Sequence, residues 1–207
     1  MSDLLSKKLY LVRHGETEPN RLGIIQGSGL DAPLNARGIR QANDFFLAYK
    51  HISFDAIYTS ALIRTHQSVE QFLALGIHHE IRKDLNEISW GIKDGTRIDP
   101  QEQIVYNRMI QDWKAGLLDR SFDMGESPNQ VAKRLRTVIG EVNNSTAKTL
   151  LMCIHGRALR IFLCLLLSRP LSQMEDFLHS NLCLYILVFD GKSWKLELEN
   201  DTQHLQF

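Results

Sequence analysis

Along this chain, short apolar runs that stop abruptly at polar, glycine-containing segments alternate with stretches whose apolar positions recur every three or four residues. Leu9 to Val12 is the first run, and it ends in Arg13-His14-Gly15. It predicts a buried strand opening into a loop. Residues 15 to 34 are rich in glycine and proline and read mostly as loop. Asn35 is placed to cap a helix with apolar positions Ile39, Ala42, Phe45, Phe46 and Tyr49. Asp55 to Thr59 predicts a second short strand, followed by a helix over about 61–75. Residues 79–88 read as a strand or extended segment, and 100–117 as a helix. Ser127-Pro128-Asn129-Gln130 is a helix start, with Ser as N-cap, Pro in the first turn and Gln three residues on. Thr149 to Ile154 predicts a strand ending in His155-Gly156, followed by a helix over 157–167. Leu182 to Phe189 and Trp194 to Glu199 read as a terminal hairpin turning at Asp190-Gly191. Its apolar residues could be core, or could pair with a second copy as a homodimer.

Strands alternating with helices predict an α/β protein: a three-layer domain with a mixed, mostly parallel sheet flanked by helices. No repeat or linker-like stretch divides residues 1–207, so one domain is expected. The 207 residues are 43% apolar and 23% charged, ordinary for a globular chain. Lys plus Arg and Asp plus Glu number 24 each. That balance speaks against a broad nucleic-acid surface, which needs a basic excess. It leaves room for one concentrated anion pocket. The most apolar run, Ile161 to Leu167, is seven residues, against the roughly 20 of a membrane span. The stretch Met1 to Lys8 lacks the apolar centre of a signal peptide. The cysteines, Cys153, Cys164 and Cys183, lack metal-ligand spacing and suggest buried, reduced thiols in a cytoplasmic setting.

Two segments share one design. Leu9 to Val12 runs into Arg13-His14-Gly15, and Leu150 to Ile154 runs into His155-Gly156-Arg157. Each puts a histidine just beyond the C-terminal end of a strand, where ligands bind in open α/β sheets. A third strand leads to Ser60 and Arg64. Converging arginines offer planar donor forks to phosphate oxygens. A histidine nitrogen can carry a phosphoryl group covalently. A carboxyl group would then be needed to protonate the leaving oxygen.

These residues occur in an ordered set that resembles the histidine phosphatase superfamily, the phosphoglycerate mutase-like fold. The set comprises Leu11 to Glu18 with Asn20, then Gln26-Gly27, Asp31 to Asn35, and Gly38 with Gln41-Ala42. It continues at Tyr58 to Leu62 with Arg64 and Gln67, at Leu85-Asn86-Glu87 with Trp90-Gly91, and at Gly125-Glu126-Ser127. It closes with His155-Gly156 and the tail Asn200-Asp201-Thr202 with His204-Leu205. The resemblance implies that His14 is the nucleophile that becomes phosphohistidine. It implies that Arg13, Arg64 and His155 complete the phosphate pocket and that Glu87 is the acid. Asn20, Gln26 and Gly27 would face the substrate, beside Gly156 and Arg157. No metal or other cofactor is implied, and the partner would be a small phosphorylated metabolite. Candidates are phosphosugars, phosphoglycerates and the α-ribazole phosphate of cobalamin synthesis. A phosphate dianion beside Glu87 would favour its protonated form, so activity is expected at acidic to neutral pH.

Only 38 residues separate Glu87 from Glu126. Dedicated mutases of the family carry a long insertion there, which favours hydrolysis here. A cofactor-dependent phosphoglycerate mutase is the alternative. A non-catalytic phospho-ligand or partner-binding module is a second. Pro19 stands where an aromatic residue is common in the family, and Arg157 where a second glycine is frequent. Arg157 reads either as an exposed residue of a first helical turn or as a cation for a second anionic group. His78-His79 reads as a solvated loop rather than a metal pair, and His66 as polar packing. Trp90, Trp113 and Trp194 read as packing residues, with Trp90 the one near enough to Glu87 to meet a substrate.

Overall fold

A computed structural model describes residues 6–206. The first five residues of the polar N-terminal stretch lie outside it. The elements are β1 (Lys7–Arg13), α1 (Glu18–Leu22), α2 (Ala36–Tyr49), β2 (Ala56–Thr59), α3 (Ile63–Leu73) and β3 (His78–Ile81). They continue with α4 (Pro100–Lys114), α5 (Pro128–Asn144), β4 (Thr149–Ile154), α6 (Gly156–Leu166), β5 (Leu184–Phe189) and β6 (Trp194–Asp201). One six-stranded sheet runs in the order β3-β2-β4-β1-β5-β6. Its β3-β2, β2-β4 and β4-β1 pairs are parallel, and β5 is antiparallel to both β1 and β6. The expected mixed, mostly parallel sheet is therefore present.

The three layers follow from the alternation of side chains along a strand. Leu9 and Leu11 of β1 point into one core, with Val131 and Leu135 of α5 and Leu159 and Phe162 of α6. Tyr10 and Val12 point into the other, with Phe45 of α2 and Val69 and Phe72 of α3. A strand covered on both faces needs apolar residues at every position, which is why Leu9 to Val12 reads as an unbroken run.

The helix starts obey the expected chemistry. Asn35 caps α2 by accepting from the Gly38 N–H. Ser127 and Gln130 form a reciprocal capping box at α5. The loop reading of 15–34 missed α1, a single short helix capped reciprocally by Thr17 and Asn20. His78 and His79 belong to β3, not to a solvated loop. Their side chains diverge as strand neighbours must: His78 meets Glu80, while His79 lies 2.8 Å from the Thr59 hydroxyl. The hairpin's apolar residues Leu184, Tyr185, Leu187, Phe189 and Trp194 are buried in the cores. Among the described residues no helix is long and apolar enough to cross a membrane.

One contact presses the fold onto the loop after β1. A Cβ on Gly38 would lie 2.1 Å from the Glu16 carbonyl oxygen, and one on Gly15 would lie 2.8 Å from the Gly38 carbonyl oxygen. By helix propensity alone, Gly38→Ala would stabilise α2 by up to about 1 kcal/mol. The backbone contact reverses the sign. Gly38→Ala is expected to destabilise by about 1–3 kcal/mol, the usual cost of overpacking. Urea unfolding of the two proteins checks it, and a variant at least as stable as the parent would contradict the contact.

Candidate active site

The strand order brings the two histidine segments together. Chain crossovers leave β1 through α2 on one face of the sheet and β4 through α6 on the other, so the adjacent pair β1-β4 is a topological switch point. The register pairs Arg13 with Ile154. His14 and His155, the next residue on each strand, therefore stand side by side, with ring centroids 5.1 Å apart. β2, the neighbour of β4, delivers Ser60, and the first turn of α3 delivers Arg64.

His14 is 3% exposed, and its Nδ1 donates to the Gly15 carbonyl at 2.7 Å. A carbonyl only accepts, so the proton sits on Nδ1 and Nε2 keeps its lone pair. Burial, then the charges of Arg64 and Arg13, hold His14 well below the ordinary histidine range. His155 is fully buried. Its Nδ1 accepts from Arg64 Nε at 3.1 Å, so its Nε2 carries the proton and donates to Ser60 Oγ at 2.8 Å. Burial, followed by Arg64, pushes its pKa far down as well.

Arg64 is 0% exposed. Besides its bond to His155, it donates to the carbonyls of Leu30 at 2.9 Å and Gly27 at 3.2 Å. Burial lowers its pKa to about 10, which leaves it charged at neutral pH. Arg13 Nη1 donates to His179, at 2.7 Å to the carbonyl oxygen and 3.2 Å to Nδ1. Burial and then the Arg13 charge bring His179 down to about 2.

Glu87 enters from the loop after β3 and docks on the N-terminus of α6. Its Oε1 accepts from the N–H groups of Ile88 and Ala158, both at 2.9 Å, and its Oε2 accepts from Arg157 N–H at 3.0 Å. Glu87, Arg13 and Gly156 share a cavity of about 140 Å³ with Asn20, Gln26 and Arg157. Ile25, Trp90, Ile98 and Tyr106 form its apolar wall, and His179 also borders it. Arg13 Nε and Gln26 Nε2 are buried without a hydrogen-bond partner. Both are donors on residues that line this cavity.

Asn20 and Gln26 are tied together: Asn20 Nδ2 and the Thr17 hydroxyl both donate to Gln26 Oε1. Gly27 lies where a Cβ would be 2.3 Å from Asp94 Oδ1 and 2.5 Å from the Ile88 carbonyl oxygen. Asp94 in turn accepts from the N–H groups of Gly27 and Gly29. Arg157 is not an exposed first-turn residue. Its side chain is 4% exposed, paired with Glu175 and donating to the Tyr106 hydroxyl at 3.1 Å. Its guanidinium lies 5.3 Å from the Trp113 ring and 5.9 Å from the Trp90 ring. Cys153 is buried two residues before His155, and burial pushes its thiol up.

Sequence reading missed several members of this site. Ser60 was visible inside a motif but had no role until His155 was placed against it. Asn181 donates to the His14 carbonyl at 3.1 Å and to Asn20 Oδ1 at 3.2 Å. His179, Asn181 and Tyr106 arrive from distant segments, and no local pattern marks them.

Comparison with known proteins finds relatives over nearly the whole chain. A protein of Hydrogenobacter thermophilus named as a phosphoserine phosphatase is 26% identical over 199 residues, covering 96% of this chain and 97% of that one. A protein of Proteus mirabilis named as a phosphoglycerate mutase is 29% identical over 211 residues, covering 96% and 94%. The crystal structure of phosphoserine phosphatase from Entamoeba histolytica in complex with 3-phosphoglyceric acid superposes with a TM-score of 0.82 at 27% identity, covering 97% of this chain and all of that one. The family model of the histidine phosphatase superfamily (branch 1) matches residues 9–202, and the chain belongs to that superfamily.

Proposed function

We propose that this protein is a phosphomonoesterase that hydrolyses small phosphorylated metabolites through a phosphohistidine on His14. The observation that carries the reading is the His14 ring: neutral, with Nδ1–H spent on the Gly15 carbonyl and the Nε2 lone pair left as nucleophile. Nε2 attacks phosphorus, the N–P bond forms and the bond to the leaving oxygen breaks. Glu87 gives its proton to that oxygen. Its Oε2, with one backbone donor against two at Oε1, is the oxygen with room to carry the proton. Water then attacks phosphorus, its proton goes to Glu87, and the N–P bond breaks to release inorganic phosphate.

Arg13 and Arg64 stabilise the phosphoryl oxygens, and His155 completes the pocket by holding the Arg64 guanidinium through its Nδ1 while its Nε2–H rests on Ser60, so the charge stabilisation comes from the chain and no metal is used. Arg64 has three of its five N–H donors engaged by protein, which leaves two for phosphate. Asn20, Gln26, Gly27, Gly156 and Arg157 would receive the rest of the substrate, with Gln26 Nε2 as a donor and Arg157 supplying charge at the back of the cavity. Its small volume and apolar wall suit a compact leaving group. The short segment between Glu87 and Glu126 favours hydrolysis over mutase action, since a mutase must keep water from its intermediate. The unpaired thiols support a cytoplasmic setting.

Phosphate release from a panel of small phosphomonoesters in excess EDTA tests the route, with 3-phosphoglycerate isomers separated. Activity is expected to survive EDTA and to fall by several orders of magnitude in His14→Ala. Isomerisation without net phosphate release would replace hydrolysis by the mutase reading.

The buried neutral histidines also set an acid limit on stability. Their folded pKa values lie below the unfolded value of about 6.5, so the unfolded chain binds more protons below that pH. Stability is expected to fall as pH drops below 6.5, by up to about 1.4 kcal/mol per pH unit for each such histidine. Urea unfolding at pH 7.5 and 5.5 measures this. His155→Gln should flatten the dependence by about one proton's worth; an unchanged dependence would mean that His155 is not held neutral.

A further inference from the structure

The segment that presents Glu87 has little structure of its own. It holds one turn, Lys83–Leu85, and lies outside the sheet. Its main chain is gripped instead from α5. Arg134 Nη1 donates to the carbonyls of Asp84 at 2.6 Å and Asn86 at 2.8 Å, and Nη2 donates to that of Glu87 at 3.1 Å. The same guanidinium meets both oxygens of Glu126, Nε at 2.9 Å and Nη2 at 3.0 Å. Glu126 Oε2 also accepts from Ser89 N–H at 2.9 Å, and Glu126 N–H donates to the Ser89 carbonyl at 2.8 Å. One ion pair thus holds the backbone on both sides of Glu87, and the capping box at Ser127 fixes where α5 begins beside it. The Arg134 side chain is only 16% exposed. Only arginine offers a planar five-donor fork; a lysine has three donors at a single point and cannot span three carbonyls and a carboxylate.

We infer that Arg134, held by Glu126, is a positioning residue for the Glu87 carboxyl: it sets the reach of the proton donor to the leaving oxygen while touching neither substrate nor phosphoryl group. The inference rests on the reading of Glu87 as the acid. It has a consequence that a merely structural strut lacks. Proton delivery matters most when the leaving alkoxide is strongly basic and least when the leaving group departs without help. Loosening Arg134 should therefore slow alkyl phosphomonoesters far more than 4-nitrophenyl phosphate.

The experiment measures kcat/KM for 4-nitrophenyl phosphate and for the best alkyl ester of the panel. It uses the parent, Glu87→Gln, Arg134→Lys and the double variant. Arg134→Lys is expected to lose about 10- to 100-fold on the alkyl ester, the scale of a misplaced catalytic group, and no more than about 3-fold on the aryl ester. In the Glu87→Gln background it should cost nothing further on the alkyl ester, because the two residues act as one unit. Equal losses on both esters, or losses that multiply in the double variant, would overturn the role of Arg134 while leaving Glu87 in place. If Glu87→Gln itself loses no more on the alkyl ester than on the aryl ester, the acid assignment fails and this inference falls with it. Should Arg134→Lys not fold, as judged by its thermal midpoint, Glu126→Gln takes its place in the same cycle with the same expectations.

Discussion

The arrangement turns on keeping the Arg64 guanidinium charged in the interior. A buried, unpaired cation costs several kcal/mol, so each neighbour of Arg64 answers part of that cost. His155 gives an Nδ1 lone pair, which fixes its own tautomer and sends its Nε2–H to Ser60. Leu30 and Gly27 give carbonyls, which pin the loop that carries Gln26 against the site. Asp31 stands 4.0 Å away. Two neutral histidines, rather than charged ones, are what such a cationic interior can hold. In the proposed reaction, the electrostatics that would attract a phosphate dianion are therefore the same electrostatics that keep the His14 ring neutral.

Around that charge cluster the backbone is the scaffold. Glu87 rests on the first N–H groups of α6, the His14 carbonyl is held by Asn181, and the loop after β1 is pressed against Gly38. Arg157 shows how the wall is built. Its charge is paired with Glu175, its plane lies over Trp113 and Trp90, and its donor reaches Tyr106 on α4. One residue of α6 thereby fixes the aromatic side of the cavity, and its nearly complete burial follows from those contacts.

Much of this was legible before any coordinates. Short apolar runs located the main strands, apolar positions recurring every three or four residues located the helices, and capping chemistry placed the starts of α2 and α5. Errors fell where local pattern is weakest. α1 was hidden in a glycine-rich segment because its cap is a reciprocal Thr17–Asn20 pair in only five residues of helix. β3 reads only loosely, as a strand or extended segment over 79–88 with its two histidines given to a loop, because an edge strand of four residues carries two histidines and a glutamate. Arg157 read as exposed because a charged residue in a first helical turn normally is; only the approach of α4 and Glu175 buries it.

By itself the sequence determined the α/β class, the order of elements and the two strand-end histidines, because these depend on neighbours within a few positions along the chain. It also held the ordered motifs that mark the family. Tertiary structure alone decided that His14 and His155 meet, since that depends on β4 pairing beside β1 in a register set some 140 residues apart. It decided the tautomers, which depend on what each ring nitrogen touches, and it brought Arg134 of α5 under the Glu87 loop. Hydrogen-bond partners are chosen in space, and a one-dimensional pattern does not record them.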